Sequence, residues 1–249
     1  PVLKESQWET TLFIPSRTLR YLLTMTAFAM ASQDVRYYLN GVLFVVEGKK
    51  LRTVATDTHR LACCEVDVDD ENTPMQAIIP RKTVLLAKKL LLQGGSVTLT
   101  LGSKNVQFLF ADGAVLLGNA VDGTYPNWRA VIPATTERVT ISADRLANSL
   151  AMIAATSDDN EKQTAMKCKG EIAFTKATTT LRRGDTGLCE LESLSSTDAP
   201  AELAFNITYL SDAVSMIRSI SDEASIGYSP SAAAITMRPK DKDYPLAVV

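Results

Sequence analysis

The sequence contains little of what metal centres and disulfide scaffolds require. It has 1 histidine and 4 cysteines in 249 residues. The cysteines are Cys63, Cys64, Cys168 and Cys189, and no two of them form a CxxC pair. Zinc sites and disulfide frameworks need more such residues at closer spacing. We therefore expect no metal and no cofactor, and we interpret the thiols as small buried hydrophobic side chains.

Long apolar runs are also lacking. The most apolar segment, Val84–Leu92, is interrupted by Lys88 and Lys89, whereas a membrane helix needs about 20 apolar residues. The first residues show no basic region followed by an apolar one, as a secretory signal would. We therefore expect a cytoplasmic protein without a membrane partner. Because the chain lacks an initial methionine, we also expect that it is cut from a longer protein.

No charge sign dominates the composition. The chain has 26 basic and 28 acidic residues, a formal net charge of −2, and 46% hydrophobic residues. This balance excludes a polycationic nucleic-acid coat and an acidic disordered tail. It supplies enough apolar surface for packed cores, and at roughly 100 to 150 residues a domain the length suggests two domains.

The hydrophobic periodicity predicts two similar halves. Helices are predicted over Pro15–Met30, with Ser16 as the cap, and over Arg81–Leu92, and again over Ser142–Ala155 and Phe205–Ile220. The predicted strands are Tyr38–Val46, Leu51–Ala55, Arg60–Val68, Val97–Leu101, Val106–Phe110, Ala114–Asn119, Val139–Ile141, Glu171–Thr175 and Thr178–Arg182. The order repeats after roughly 125 residues, and Ile79–Lys82 corresponds to Ala204–Ile207 at the start of the second helix of each half. This repeat predicts a duplicated α+β domain. The proline-containing segment Asp122–Thr136 is predicted to connect the copies, with a boundary near Ala134.

Positive charge is concentrated on the predicted helices of the first half. No acidic residue occurs in Pro15–Gln33 or in Asn72–Ala111, although both segments carry arginine or lysine. A nearly neutral protein can in this way present a basic face to a partner. The alternative is that these are ordinary solvated helix faces.

Several longer strings identify a family. They are Ser32–Gly41, Leu51–Ala62, Ile79–Lys82, Val121–Pro126, Asn160–Lys162, Phe205–Tyr209 and Val248–Val249. In this order the chain resembles the bacterial DNA polymerase III β subunit, the sliding clamp family, along its whole length. The family has three copies of one domain, each with two helices packed on antiparallel sheet. The resemblance assigns residues 1–10 to the connector from a missing first domain, 11–134 to the middle domain and 135–249 to the C-terminal domain.

The resemblance implies a ring that encircles duplex DNA. A sliding protein needs diffuse attraction to phosphate without base contacts that would fix it at one sequence. The residues implied to contact DNA are Arg17, Arg20, Gln33, Arg36, Tyr37, Tyr38, Arg81, Lys82, Lys88 and Lys89. For Tyr37 and Tyr38 the alternative is that they are half-buried aromatic residues of a strand.

The resemblance also implies a hydrophobic groove that takes short linear motifs from DNA polymerases, the clamp loader and repair proteins. Its residues here are Leu39, Thr56, Thr58, His59, Arg60, Leu61, Pro126, Val131, Asn206, Tyr209, Val248 and Val249. An apolar pocket with a few polar groups suits a Leu or Phe anchor. For Leu39, Leu61 and Val248 the alternative is plain core packing.

Two functions from different classes follow. The first is a processivity factor in DNA replication that does not catalyse a reaction. The resemblance implies a homo-oligomeric ring for the intact family protein, and for this chain a monomer and a ring closed by more copies are both open alternatives. The second is a truncated, clamp-like peptide-binding adaptor or decoy that does not encircle DNA. We also considered that Asp57 orients His59 as a general base, but no nucleophile accompanies the pair.

The chain departs from the family pattern at two groove positions and at its end. Thr58 replaces the usual glycine, and Ala130 stands where arginine is common. The family's usual residues after the Val–Val pair are absent after Val249. We expect these differences to change peptide affinity.

Overall fold

The computed structural model describes residues 8–91, 94–155, 169–185, 187–195, 199–230 and 234–249. Internal contacts divide the chain into two compact units, unit 1 (Pro1–Trp128) and unit 2 (Arg129–Val249). This division precedes the predicted boundary near Ala134 by a few residues, and the assignment of 1–10, 11–134 and 135–249 stays a prediction. Residues 1–7 of the predicted connector and the Asn160–Lys162 string lie outside the described residues.

Unit 1 has two α-helices and six strands among its described residues. In chain order they are β1 (Thr10–Pro15), α1 (Ser16–Thr26), β2 (Gly41–Thr56), β3 (Leu61–Pro80), α2 (Arg81–Leu90), β4 (Ser96–Leu101), β5 (Asn105–Phe110) and β6 (Val115–Asn119). Single 3₁₀ turns occupy Ala27–Ala29, Tyr37–Leu39 and, at the division between the units, Trp128–Val131. All strand pairs within unit 1 are antiparallel.

The described part of unit 2 has two α-helices and eight strands. They are β7 (Glu137–Ser142), α3 (Ala143–Ala155), β8 (Lys169–Phe174), β9 (Thr178–Arg183), β10 (Gly187–Glu192), β11 (Ala201–Asn206), α4 (Ile207–Arg218), β12 (Glu223–Tyr228), β13 (Thr236–Pro239) and β14 (Leu246–Val248). The strands β10-β9-β8-β11 form a four-stranded antiparallel sheet. The predicted α+β class is confirmed, because helices lie on antiparallel sheets in both units.

The predicted internal repeat is confirmed by the strand order. In unit 1 the strands pair as β1-β4-β5-β6, and in unit 2 the strands β7, β12, β13 and β14 pair in the same way. The ladders also share a register, since Pro15 is opposite Ser96 and Ser142 is opposite Glu223. Each first strand leads directly into a helix. Two copies of one topology are therefore present.

One detail of the predicted repeat is wrong. The sequence comparison aligned Pro80 with Phe205, but the residues that precede α2 and α4 are Pro80 and Asn206. The alignment was displaced by one residue because Pro80 and Asn206 start their helices by different chemistry. Proline fixes its own φ angle, whereas the Asn206 side chain accepts hydrogen bonds from two backbone N–H groups.

The helices bury one face and expose the other. In α1 the side chains of Leu19, Leu22 and Leu23 are fully buried, and in α2 those of Val84 and Ala87 are. Burying a leucine side chain stabilises the fold by roughly 1.5 to 3 kcal/mol. The polar residues between these positions are consequently turned outward.

Helix ends differ from the prediction. The N-cap of α1 is Pro15, without a side-chain cap hydrogen bond, so the prediction of Ser16 as the cap is wrong. The helix ends at Thr26 rather than Met30, because the chain tightens into a 3₁₀ turn at Ala27–Ala29. Similarly, α2 ends at Leu90 instead of Leu92.

The strands of unit 1 are longer than predicted. Residues 47–50, which separate the predicted strands Tyr38–Val46 and Leu51–Ala55, form a bulge, since β2 continues through Gly48, whose φ of 58° accommodates the irregularity. The strand predicted to end at Val68 continues to Pro80. The strand predicted to start at Tyr38 starts at Gly41, after the 3₁₀ turn. Sequence reasoning also missed β10, β11, β12, β13 and β14.

Two kinds of feature are absent from the described residues. No helix there is long and apolar enough to span a bilayer. No group of three or more His, Cys, Asp or Glu side chains there is arranged to hold a metal ion.

Candidate functional site

The outer faces of α1 and α2 in unit 1 are basic. Arg17 and Arg20 of α1 are exposed, as are Lys82 and Lys89 of α2. Neither helix contains an acidic residue. The positions follow from helical periodicity, because the leucines of α1 must face the sheet and the arginines between them then face away.

Arg20 and Lys88 bring two like charges close together where the helices pack. Lys88 is half-buried, and its pKa is lowered first by burial and then by the positive charge of Arg20. In the part of the chain that the structure describes, no carboxylate is at ion-pair distance from Arg17, Arg20, Arg81, Lys82, Lys88 or Lys89. The helix pair therefore carries positive charge that its own carboxylates do not neutralise.

Arg81 joins the start of α2 to the segment that follows α1. Its Nη1 donates to the carbonyl oxygen of Met30 at 3.3 Å, and its backbone N–H donates to the carbonyl oxygen of Asn40 at 2.9 Å. The side chain is half-buried. Arg81 therefore has a structural role beside the predicted contact with DNA.

The segment between α1 and β2 carries four further residues of the predicted DNA-contacting set. Gln33 is exposed and has a φ of 59°. Tyr37 is 58% exposed, and its ring meets that of Tyr38 edge-on with centroids 5.9 Å apart. Both tyrosines lie in a 3₁₀ turn, so the alternative that they are strand aromatics is wrong. Arg36 pairs with Asp34 at 2.8 Å.

The hairpin turn between β2 and β3 is held by its own side chains. Asp57 Oδ1 accepts from the backbone N–H groups of His59 and Arg60, both at 3.0 Å, and Oδ2 accepts from Arg60 Nε at 3.0 Å. Thr56 Oγ1 donates to the carbonyl oxygen of Arg60 at 2.7 Å. The carboxylate of Asp57 is thus engaged in shaping the turn, which gives no support to the alternative that it orients an imidazole base.

Arg60 fixes this turn against the end of α1. Its guanidinium lies 5.5 Å from the centroid of the Phe28 ring, and Nη2 donates to the Phe28 carbonyl oxygen at 2.9 Å. Cation–π contact and hydrogen bond act together on one side chain. The exposed tip of the turn, with Thr58 and His59, is held in one place as a result.

The sequence of this chain is similar to those of known proteins. Residues 13–127 match the family described as DNA polymerase III beta subunit, central domain. The beta sliding clamp of Vibrio cholerae is 31% identical over the whole chain, which spans 67% of that protein. The beta sliding clamp of Proteus mirabilis is 34% identical over 88% of the chain and 59% of its own length. The chain belongs to the bacterial sliding clamp family.

Solved structures agree with this assignment. A DNA polymerase sliding clamp from Pseudomonas aeruginosa superposes with a TM-score of 0.89 at 28% identity, covering all of this chain and 67% of that one. Another structure, of the DNA polymerase III subunit beta from the same organism, gives the same TM-score and 68% coverage. The chain spans 59% of the length of the first curated relatives that it matches. The predicted duplicated clamp fold is confirmed.

In unit 1 the predicted groove residues divide into buried and accessible ones. Leu39 and Leu61 are 0% and 2% exposed, and Thr56 is also buried. Thr58 and His59 are exposed at the tip of the turn, Pro126 is exposed in the segment after β6, and Arg60 is half-buried. The two leucines therefore occupy the core, as the alternative interpretation held, and their part in a clamp groove stays a prediction.

In unit 2 the predicted groove residues also have different environments. Val131 is 59% exposed, Tyr209 is half-buried and Val248 is only 6% exposed. Val249 exchanges backbone hydrogen bonds with Ile235 at 2.9 and 3.0 Å. Asn206 is the N-cap of α4, with Oδ1 accepting from Thr208 N at 2.9 Å. A substitution at Asn206 would therefore disturb the helix as well as any groove.

Sequence reasoning missed two side chains that position predicted ones. Asp34 holds Arg36, and Phe28 lies under Arg60. The i, i+2 spacing of Asp34 and Arg36 was a signal that could have been used. The contact of Phe28 with Arg60 joins residues far apart in the sequence and gave none.

A polar cavity of about 320 Å³ in unit 1 is separate from these residues. It lies beside β3 and residues 121–125, and none of the predicted DNA-contacting or groove residues lines it. The hydroxyl of Tyr125 is buried at its edge, and burial raises the pKa of that group. The cavity adds nothing to the clamp site that the sequence predicts.

Thr58 has a φ of 74°, a left-handed conformation that favours glycine. We expect Thr58→Gly to raise the free energy of unfolding by about 1 kcal/mol, because it removes the clash of Cβ with the backbone. Urea unfolding of the two proteins measures the difference. Thr58→Ala keeps Cβ and should bring no such gain; equal effects of the two variants would contradict this explanation.

Proposed function

We propose that this chain is the part of a sliding clamp that holds duplex DNA through its phosphates, without reading sequence and without catalysis. The observation that carries the proposal is the basic outer face of α1 and α2, two helices without an acidic residue on which Arg17, Arg20, Lys82 and Lys89 are exposed. Cations that no carboxylate neutralises attract a polyanion.

The chemistry of the exposed groups favours phosphate over bases. Arg17, Arg20, Lys82 and Lys89 are exposed cations on two helices, and such groups interact with a DNA backbone at any sequence. Duplex DNA presents one phosphate charge per ~1.7 Å of axis, so many equivalent positions compete for the same cations. Binding of this kind permits sliding, because the binding free energy differs little between neighbouring positions on the DNA.

Unit 2 contributes less charge to the proposed DNA contact. On its helices Arg218 Nε pairs with Asp144 at 2.6 Å, which neutralises both side chains. Arg145 Nη1 of α3 lies 4.0 Å from Glu192 Oε2, at the limit of an ion pair. Electrostatic attraction to DNA is therefore assigned mainly to unit 1.

Retention on DNA is proposed to depend on a closed homo-oligomeric ring rather than on high affinity. The chain spans 59% of the first relatives that it matches, and a ring requires the remaining length or further copies. Cytoplasmic DNA replication is the setting that this function implies. The proposed partners are DNA polymerases, the clamp loader and repair proteins.

Peptide binding is the second part of the proposed function. In unit 1 the hairpin turn presents Thr58 and His59 in a conformation fixed by hydrogen bonds. In unit 2 Val131 and Tyr209 present apolar surface. Rigid accessible groups of these types suit a short motif with a Leu or Phe anchor, because little ordering is required on binding.

Removal of two exposed lysines tests the DNA contact. We expect Lys82→Gln/Lys89→Gln to weaken duplex binding at least about tenfold at low salt. The slope of log K against log[salt], which is negative, should become shallower by about two, since each lost phosphate contact reduces its magnitude by about 0.9. Fluorescence anisotropy with two duplexes of unrelated sequence measures both quantities.

The matched control is Lys49→Gln/Lys104→Gln, which changes the net charge equally at exposed positions outside the predicted DNA-contacting set. This variant should keep the wild-type salt slope. If both double variants lose the same affinity, net charge rather than the helix pair governs binding, and the assignment of the DNA contact is wrong.

Circular and linear DNA together test whether the protein encloses the duplex as a closed ring. After incubation with the clamp loader and nicked circular DNA, the protein should stay bound at a salt concentration that abolishes simple electrostatic binding. Cutting the circle should release it, because a ring slides off a free end. Gel filtration of the DNA complexes measures retention. Equal loss from circles and linear DNA would reject enclosure and favour the adaptor function.

Val131→Ala and Tyr209→Ala test the peptide site. We expect each to weaken a Leu/Phe-containing clamp-binding peptide by about tenfold, the effect of losing an apolar contact of about 1.4 kcal/mol. Calorimetric titration measures the affinity. Val115→Ala is the control for Val131→Ala, because it removes the same atoms from a similarly exposed valine outside the predicted groove. Val115 is 53% exposed and Val131 is 59% exposed. Unchanged affinity in all three variants would show that the site is elsewhere.

A further inference from the structure

The segment 31–40, between α1 and β2, is closed on itself by hydrogen bonds. Asn40 Oδ1 accepts from Asp34 N at 3.0 Å, and Asn40 Nδ2 donates to the Asp34 carbonyl oxygen at 2.8 Å. At its ends Ala31 N donates to the carbonyl oxygen of Leu39 at 3.1 Å. These contacts fix the backbone of Asp34 relative to the start of β2. The position of its carboxylate is therefore a built feature of the segment.

The carboxylate of Asp34 takes one edge of the Arg36 guanidinium. Arg36 Nε donates to Oδ1 at 2.9 Å and Nη2 donates to Oδ2 at 2.8 Å, while the Arg36 backbone N–H donates to Oδ1 at 2.8 Å. The hydrogen bonds from Arg36 lower the pKa of Asp34 to about 2, so it is anionic at neutral pH. The same two N–H groups form the fork that binds phosphate in a bidentate manner. In the free protein Asp34 occupies that fork.

Arg36 differs in this respect from the other cations of the predicted DNA-contacting set. Among the described residues, the six remaining ones have no carboxylate at ion-pair distance. Arg36 has one, placed by a closed segment of backbone. A general need for charge balance does not explain this difference, since the neighbouring helices leave their cations uncompensated.

The ion pair is also weak enough to exchange. The Arg36 and Asp34 side chains are 44% and 21% exposed, and exposed ion pairs add little to stability because water and salt screen them. Arg36 Nη2 further donates to Thr58 Oγ1 at 3.4 Å, which keeps the side chain near the hairpin turn. A DNA phosphate can therefore replace the carboxylate without unfolding the segment.

We propose that Asp34 is a built-in competitor for phosphate at Arg36, a positioning residue that limits how strongly this arginine holds DNA. A bidentate arginine–phosphate contact is geometrically specific and would favour one position of the backbone. Exchange between a carboxylate and successive phosphates removes that preference and keeps the protein mobile along the duplex. The inference rests on the proposed function, since it requires Arg36 to face DNA.

The test is Asp34→Asn, which keeps the size of the side chain and removes its charge. We expect duplex affinity at low salt to rise several-fold and the slope of log K against log[salt] to steepen by less than one, because Arg36 then holds its phosphate without exchange against the Asp34 carboxylate. Arg36→Gln should reduce affinity little in the wild type and should abolish the gain in the Asp34→Asn protein. This double-mutant cycle isolates the coupling of the two side chains.

Asp112→Asn is the matched control. Asp112 is exposed in unit 1, and its Oδ1 accepts the backbone N–H of Ala114 at 2.9 Å, as Asp34 does from Arg36. The change in net charge is the same. If Asp112→Asn and Asp34→Asn alter DNA binding equally, the effect is one of net charge and the inference is wrong.

A second measurement does not depend on any variant being folded. In ¹⁵N NMR spectra of the wild type, the Arg36 Nε–H signal should shift progressively as duplex DNA is added, because phosphate replaces carboxylate as its acceptor. An unchanged Arg36 signal at saturating DNA overturns the inference. If the Lys82→Gln/Lys89→Gln variant still loses DNA affinity in that case, the proposed function stands although the inference about Asp34 fails. The two failures are therefore distinguishable.

Discussion

The burial of the apolar faces of α1 and α2 against their sheet decides where the charge of this protein lies. Leu19, Leu22 and Leu23 have no accessible surface, and a helix that buries these positions must expose Arg17 and Arg20. The basic face is thus a consequence of packing as well as of composition. Because the same element order recurs in unit 2 with different outward residues, one scaffold carries a basic helix pair in one copy and a neutral one in the other.

Local hydrogen bonding fixes the segments between the regular elements. The hairpin turn depends on Asp57, and the segment after α1 depends on Asp34 and Asn40. Such side chains replace the hydrogen bonds that regular structure would supply. Thr58 is strained in this turn, since its φ of 74° suits glycine better than a β-branched residue. The surrounding contacts keep the turn in its shape despite that strain.

Much of the fold followed from periodicity. The four helices, the duplication and the α+β class were predictable because leucines and valines at regular spacing leave few ways to bury an apolar face. Element ends were less predictable: the sequence predicts two strands where β2 continues through the bulge at Gly48, and the strand start predicted at Tyr38 is a 3₁₀ turn. At Gly48 the pairing of β2 with β3 outweighs local propensity, whereas the turn at Tyr37–Leu39 is formed by local backbone hydrogen bonds from Leu39 N and Asn40 N.

The sequence by itself determined the family, the repeat and the separation of basic from acidic residues, because these are properties of residue order. Only the tertiary structure decided that Leu39 and Leu61 are buried, that Arg20 lies beside Lys88, and that Arg60 lies over the Phe28 ring. Burial and the distance between charges depend on how the chain packs in three dimensions. Residues far apart in sequence or separated by a turn meet only when the sheets and helices have closed around a common core.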